Sequence, residues 1–373
     1  MSQAANPPAR LRLVLIGDGE SPHLLKWARA LQPRVDLWAV SSRGFGPEWD
    51  ALLPPERRLA LATQPRFEGG NAGLLRSLPR MAAWLRQVQP DWLAPHYLSS
   101  HGTLAWLAVR FWGVRAQIAG SAWGSDILLA PRQSRLMRWL TTRVLRACRL
   151  ATSDSLHMTA EMKALGAGEV QTFPFGLEAL PPTAPAKNEA LFFANRGLEA
   201  LYAPERVLAV FAALSRDWPE ARLVVANDGA LRSTLQAAAP ADRVQFVGRL
   251  DAATQAQWYA QARWYLSLPQ SDSVSVSVLE AMGHGCIPIL SDLPANRELI
   301  EDGRTGVILA DGELPRRSRL QALVAGPPQA DALAGQLRDW VGANALFPAS
   351  VQAYVERLQA LTPTRSMPSP VAA

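Results

Sequence analysis

SLPQSDSVSVSVLEAMGHGCIPILSDLPANRELIEDGRTGVIL, residues Ser267–Leu309, resolves into strand end, loop, helix, strand, turn, helix, turn and strand. Ser271 to Val278 alternates serine with valine, the pattern of a half-buried strand. Strand-like runs flank it closely, Trp264–Leu268 before and Cys286–Leu290 after. Parallel neighbours need a helical crossover, and Leu-Glu-Ala-Met is a good helix former. The serines therefore belong to a loop and a first helical turn. Gly283 and Gly285 close that helix, where positive φ favours glycine. Short hydroxyl side chains at Ser271, Ser273 and Ser275 leave backbone N–H groups, those of Ser273, Val274 and Ser275 among them, open to an anion at the helix N-terminus. Serines opening an ordinary αβ unit are the simpler alternative. The loop holds one acid, Asp272, and seven residues separate it from a second, Glu280.

SDSVSVSVLEAMGHGCIPILSDLPANRELIEDGRTGVIL resembles the donor-site signature of retaining glycosyltransferase family 4. In that family an acid, seven residues and a glutamate precede Ala-Met, a Gly and a Pro; a Ser-Asp and an Asp-Gly-x-x-Gly follow. The likeness is clear from Phe192 to Leu309 and looser before it. It implies an α/β protein of the GT-B fold, two Rossmann-like doubly wound domains facing across a cleft, and a nucleoside-diphosphate sugar as donor.

The 373 residues favour two domains, each large enough for its own core. A hydrophobic content of 49% and a charged content of 19% are globular values. No apolar run approaches the roughly 18 residues of a membrane span. The start, MSQAANPPARLRLVLIG, lacks a secretory layout. Cys148 and Cys286 sit in apolar settings and read as core thiols, which suits the cytoplasm. The net charge of +6 fits anionic ligands, an anionic membrane face or nucleic acid. Neither zinc-ligand spacing nor an RNA-module pattern is present.

Residues 1–10 read as a disordered lead. An N-terminal Rossmann-like acceptor-side domain spans 11–178, with strands at Arg12–Ile16, Val35–Val40, Asp91–Pro95, Ala116–Ala119 and Val170–Phe173. The Pro/Ala-rich stretch Leu177–Glu189 carries the linker, set at 179–189. The donor domain, 190–343, has strands at Ala190–Phe193, Arg222–Ala226, Arg243–Phe246, Trp264–Leu268, Cys286–Leu290 and Gly306–Leu309. Strands alternating with helices in both halves argue for two doubly wound sheets. The resemblance implies that a final helix, within 344–361, packs back on the first domain. The tail, 362–373, is expected to be disordered.

The likeness also implies roles by position. Glu280 takes the donor ribose, because one carboxylate accepts from two adjacent hydroxyls; an exposed helix glutamate is the alternative. Asp272 stands where the family usually has a glutamate on the donor sugar, one methylene longer; an N-cap role is its alternative. Arg196, after the strand in FFANRG, matches the arginine that holds the diphosphate. About six residues on, the family has a lysine where this chain has Tyr202. Either Arg196 works with backbone amides and the tyrosine hydroxyl, or Arg206 or another cation substitutes. Asn227-Asp228-Gly229 resembles a Gly-x-Gly turn, and Gly248-Arg249 lies in the loop that edges the base. Gly17 and Gly19, after the first strand, let a backbone pass close to the donor, although such junctions use glycine anyway.

On the acceptor side, Trp123 replaces the family histidine in the loop Ser121–Asp126, beside Gly124 and Ser125. Trp123 offers an N–H donor and a stacking face but no acid/base function. His96, at a strand end, is either a substitute imidazole or a structural histidine. Asp126 either orients the acceptor or caps the next helix. With retention by front-face attack, the leaving phosphate serves as base, and neither a metal nor a cofactor is implied.

Outside the motif, Arg132, Arg135, Arg138, Arg143, Arg146 and Arg149 fall on one arc of a helix with Trp139 among them, and no acid lies between Ile127 and Ser153. Leu136, Met137, Leu140 and Val144 fill the opposite side. The arc suits either an anionic membrane surface or plain solvent. Taken together, the expectation is a cytoplasmic, membrane-peripheral, metal-independent glycosyltransferase. It would move a sugar to a glycan or lipid-linked acceptor in cell-surface polysaccharide or lipopolysaccharide assembly. A catalytically impaired protein that binds nucleotide or glycan is the alternative. A nucleic-acid partner rests on charge alone and is not expected.

Overall fold

A computed structural model of the protein describes residues 10–63, 72–183 and 186–363. The expected lead and tail lie outside the described residues except for Arg10, Thr362 and Pro363. The chain divides into two compact units: Met1–Ser153 with Glu161–Gln171 and Pro348–Ala373, and Asp154–Ala160 with Thr172–Phe347.

In chain order the first half runs β1 (Arg12–Gly19), α1 (Pro22–Leu31), β2 (Asp36–Phe45), β3 (Arg58–Ala60), α2 (Ala72–Arg76), α3 (Leu78–Val88), β4 (Trp92–Pro95), α4 (Thr103–Phe111), β5 (Gln117–Ser121), α5 (Ser125–Leu128), α6 (Ala130–Gln133), α7 (Arg135–Ala147), β6 (Leu150–Ser153), α8 (Leu156–Ala164) and β7 (Val170–Thr172). The strands form one sheet in the order β3-β2-β1-β4-β5-β6-β7. β1 pairs in parallel with both β2 and β4, so the winding reverses at β1/β4. Leu13, Val14, Leu15 and Ile16 are all buried, as expected for a sheet covered on both faces. β3 and β6 are not among the strands expected from the sequence, because runs so short do not show a period. A π-helical turn, Tyr97–Gly102, joins β4 to α4.

The second half runs β8 (Asn188–Ala194), α9 (Pro204–Ser215), β9 (Arg222–Ala226), α10 (Arg232–Ala238), β10 (Val244–Gly248), α11 (Ala252–Gln261), β11 (Ala262–Ser267), α12 (Val276–Gly283), β12 (Ile287–Ser291), α13 (Pro294–Leu299), β13 (Val307–Leu309), α14 (Arg317–Leu323), α15 (Pro327–Asn344) and α16 (Phe347–Leu361). Its sheet has the order β10-β9-β8-β11-β12-β13, with the reversal at β8/β11. Ser271–Ser275 is loop, and the helix begins at Val276, so the Ser-Val alternation is not a strand. Gly285, two residues past the end of α12, has φ +76; Gly283, expected to share that role, is instead the last residue of the helix and does not have positive φ. The core is the apolar run of each strand packed under these helices, with Phe192, Phe193, Trp264 and Leu266 at its centre.

In the stretch expected as linker, Arg338 of α15 donates to the carbonyls of Pro181 (2.8 Å) and Gly283 (2.6 Å), fastening it to the second unit. Within α16, Tyr354 packs its ring on Trp27 at 5.4 Å and Arg357 pairs with Glu169, both inside the first unit.

Gly176 shows how tightly the second unit closes. A Cβ there would lie 1.7 Å from the Ala345 carbonyl oxygen, which accepts from the Leu177 N–H at 2.8 Å. Gly176→Ala must push two backbone segments apart. It is expected to cost about 1–3 kcal/mol, read as a lower urea midpoint at unchanged slope. An unshifted midpoint contradicts that packing.

Candidate functional site

In doubly wound sheets ligands bind beyond the carboxyl ends of the strands where the winding reverses. In the second unit that point lies between β8 and β11. The residues after those strands are Arg196 and Asp272, so sheet order brings together two groups far apart in sequence. Arg196 Nη2 donates to Asp272 Oδ2 at 2.6 Å. Its Nη1 donates to the hydroxyls of Ser275 and Ser277, the latter at 3.3 Å. The guanidinium carbon stands 4.5 Å from the Tyr202 ring centroid. Tyr202, at the expected lysine position, thus supplies a π-face rather than a charge. Arg206, the other cation considered for that place, is engaged elsewhere. It donates to the carbonyls of Leu309 (2.9 Å) and Ala310 and pairs with Asp311.

Ser275 precedes α12 with extended backbone and does not cap it with its side chain. Its hydroxyl instead lies 2.8 Å from that of Ser277. The first turn of α12, with its positive dipole end, therefore stands beside a guanidinium and two hydroxyls, an arrangement suited to a diphosphate. Contrary to expectation, the Ser273 N–H is not open to an anion, because it donates to Asp272 Oδ1 at 3.0 Å. Ser273 turns its hydroxyl to the Asp154 carboxylate and lies 3.0 Å from the Ser155 hydroxyl. Val274 is buried, and Ser271 sits half-buried at the loop's start.

Asp272 is not a helix cap; it is the counter-ion of Arg196. Burial pushes its carboxyl above the usual range, and Arg196 opposes that shift. Asp154 is missing from the residues singled out in the sequence. Burial first, then the charge of Asp272, raises its carboxyl from 3.8 to about 7, against hydrogen bonds from Ser273 and Val274. Its Ser-Asp-Ser setting directly after β6 is the signal available in the chain, since strand ends are where such sheets place functional side chains.

Glu280 is half-buried on α12 and takes part in a network. Its Oε2 accepts from Gln255 Nε2 at 3.2 Å and lies 3.1 Å from the Tyr259 hydroxyl. Tyr259 in turn accepts from Asn195 Nδ2 at 2.7 Å, and Asn195 Oδ1 accepts from the Tyr265 hydroxyl at 2.6 Å. These partners orient the carboxylate, and none of them is legible in the sequence. Nearby, Asn227 (φ +82) and Gly248 (φ +74) both turn through the left-handed region, with the Asn227 N–H on the Gly248 carbonyl. Arg249 is exposed at the end of that loop.

The first unit carries its own cluster at the end of β4. Trp123 donates its indole N–H to His96 Nδ1 at 3.1 Å. His96 Nε2 then carries the proton, and it is buried with no hydrogen-bond partner among the described residues. Burial, reinforced by His101 and His23, lowers the imidazole from 6.5 to about 3. In this arrangement the Nδ1 lone pair of His96 is turned to the Trp123 indole and Nε2 is enclosed, the setting of a structural histidine. Asp126 is 1% exposed, and its carboxylate accepts from the N–H of Leu98 (2.7 Å) and of Trp123 (2.9 Å). It does not cap α5; its two hydrogen bonds hold Trp123 and the π-turn in place. Burial raises its carboxyl to about 6.

Trp123 is the residue this scaffold presents. Its ring stacks on Tyr97 at 5.7 Å and 11°, with His23 at 5.1 Å. Tyr97 holds φ +65, a left-handed conformation strained for a bulky residue and found preferentially at functional sites. Gly124 (φ +90) and Ser125 follow at the start of α5. Gly19 is not open to a ligand. Its N–H donates to Ser41 Oγ (2.8 Å) and its carbonyl accepts from Trp49 Nε1 (2.7 Å). At Gly17 a Cβ would meet Leu24 at 2.5 Å, so packing accounts for that glycine.

Among the described residues there is no cluster of three or more His, Cys, Asp or Glu able to hold a metal, and no helix long and apolar enough to cross a membrane.

Two family descriptions match the chain: "Glycosyl transferases group 1" over residues 190–354 and "Glycosyl transferase 4-like" over 12–155. A GDP-mannose:cellobiosyl-diphosphopolyprenol alpha-mannosyltransferase of Xanthomonas campestris is 33% identical over 117 residues, 30% of this chain and 29% of that protein. The chain thus spans under a third of the length of the curated relatives it matches. Anabaena HepE in complex with UDP and glucose superposes with a TM-score of 0.72 at 14% identity, over 94% of this chain and 100% of that one. Sucrose-phosphate synthase from Thermosynechococcus elongatus does so with 0.74 at 15%, over 94% and 99%. These likenesses establish the two-domain α/β fold.

Proposed function

The chain belongs to the group 1 glycosyltransferases, and from that premise we propose that it transfers a sugar, with retention, from a nucleoside-diphosphate sugar to a glycan or lipid-linked acceptor. The observation that carries this is the convergence of Arg196, Ser275 and Ser277 on the start of α12, with Glu280 oriented on the same helix.

A diphosphate is more negative than one carboxylate and competes with Asp272 for the guanidinium. Arg196 and the first-turn amides of α12 then stabilise the charge that develops on the leaving group, where preorganised donors act most strongly. No metal or cofactor is required for that step. Glu280 accepts from the ribose hydroxyls, held by Tyr259 and Gln255. Asp272, released from Arg196, lies beside the transferred sugar. In the first unit, Trp123 and Tyr97 offer an aromatic face to an acceptor sugar, and the leaving phosphate serves as base.

By its name the Xanthomonas relative uses GDP-mannose and a diphosphopolyprenol-linked acceptor, which supports a lipid-linked acceptor and a role in cell-surface polysaccharide assembly. Such an acceptor would bring the enzyme to the inner face of the cytoplasmic membrane.

A thermal-shift screen of nucleoside diphosphates and their sugars tests the donor assignment. A ligand at about a hundred times its Kd stabilises by about 2.7 kcal/mol. Glu280→Ala is expected to remove most of that gain, while Tyr259→Phe weakens it less. A shift that survives Glu280→Ala unchanged removes the ribose assignment. Donor turnover then separates a working transferase from a protein that only binds.

A further inference from the structure

The arginine-rich helix takes no part in the donor half-site, and the structure changes how its faces are read. Leu136, expected on the inner side, is 68% exposed; Thr141, Val144 and Leu145 are the buried residues of α7. Trp139 beside it is 49% exposed. Two further apolar side chains stand out at the end of α4, Phe111 at 63% and Trp112 at 37%. Trp106 links the two helices. Its ring meets Trp139 edge-on at 6.2 Å and Phe111 at 6.1 Å. The C-terminal end of α4 and the outer face of α7 are thus one aromatic surface.

Cations surround it. From Trp92 to Ser153 the chain has eight arginines, no lysine and one acid, Asp126, which is buried. All eight arginines are exposed. Arg143 lies over the Trp139 ring at 5.4 Å and Arg110 over Phe111 at 5.0 Å. Arg132 reaches Glu161 at 3.7 Å, and Glu169, near Arg149, is already paired with Arg357. Arg110 and Arg149 also line a groove of about 520 Å³ together with Trp106 and Val109.

Charge alone would suit any polyanion. Leu136 and Phe111 narrow the choice, because a nucleic acid does not reward an exposed leucine, whereas a bilayer takes up apolar side chains at the headgroup–acyl boundary. Tryptophan and arginine belong at that boundary, each with an apolar body and a polar end.

We propose that α7 and the C-terminal end of α4 dock on an anionic phospholipid bilayer. Leu136, Trp139, Phe111 and Trp112 enter the interface, and the arginines meet lipid phosphates. Binding then has two parts. One is electrostatic and weakens with salt. The other is apolar and persists.

Flotation of the full chain with vesicles tests both parts. On phosphatidylcholine containing roughly one third phosphatidylglycerol, at least about tenfold more protein is expected to float than on phosphatidylcholine alone, with a fraction retained at high salt. Arg135→Glu/Arg138→Glu/Arg143→Glu abolishes the anionic preference. Leu136→Ser/Trp139→Ser keeps recruitment at low salt and loses the salt-resistant fraction. Arg138→Glu and Trp139→Ser alone give the same directions if a multiple variant does not fold. Equal recovery on neutral and anionic vesicles, or variants that float like the parent, overturns the proposal. So does complete release of the parent by salt, which marks a polyanion site. The readout needs no transfer activity, so its failure leaves the donor assignment untouched.

Discussion

Arg196→Ala is expected to lower sugar transfer at saturating acceptor by about 10²–10³-fold, the loss that follows removal of one preorganised donor at a developing charge. The same change strands Asp272. Breaking one side of a buried pair costs about 3–5 kcal/mol. Here the cost is expected at the low end, because burial already raises the Asp272 carboxyl toward protonation and both side chains keep some exposure. The double variant Arg196→Ala/Asp272→Asn separates the two effects. It is expected to recover stability in urea unfolding while transfer stays at the low level of the single variant. Nucleoside diphosphates should lose their thermal shift more than nucleosides do. Transfer within about threefold of the parent would mean that another cation takes the leaving charge.

Asp154→Asn is expected to stabilise the protein at alkaline pH and change nothing at acid pH. Below the ordinary value of 3.8 both folded and unfolded chains hold the proton, and the group contributes no difference. Between 3.8 and about 7 the folded chain keeps a proton that the unfolded chain has lost. Stability therefore falls as pH rises through that window, and the full cost stands above it. A window of that width corresponds to an upper limit of about 4 kcal/mol. Asparagine carries no charge, and its side-chain oxygen still accepts from Ser273. Urea unfolding at about pH 3 and about pH 8 checks the sign: parent and variant coincide at the lower value, and the variant is more stable at the higher. Curves that stay parallel across the window would show that Asp154 ionises freely in the fold.

The alternation of strands and helices, the helix that carries Glu280 and the glycine turn after it are legible in the chain alone. Each is written within a span of about eighteen residues, where period and caps act. The acid spacing from Asp272 to Glu280 can be read the same way, and with it the donor half of the family likeness.

The partners of those residues cannot. Arg196 meets Asp272 because β8 lies beside β11, and Asp154 meets Ser273 because Asp154–Ala160 packs with the second unit. Sheet order and chain return are properties of the whole core, and no local pattern encodes them. The imidazole of His96 is visible in the sequence. That its Nδ1 accepts from the Trp123 indole is decided only in three dimensions. Leu136 is exposed because, at about 100° per residue, it stands only about 20° from Arg143, at the edge of the arginine arc rather than opposite it. Which face of α7 is covered, by contrast, is decided by packing, with Thr141, Val144 and Leu145 buried.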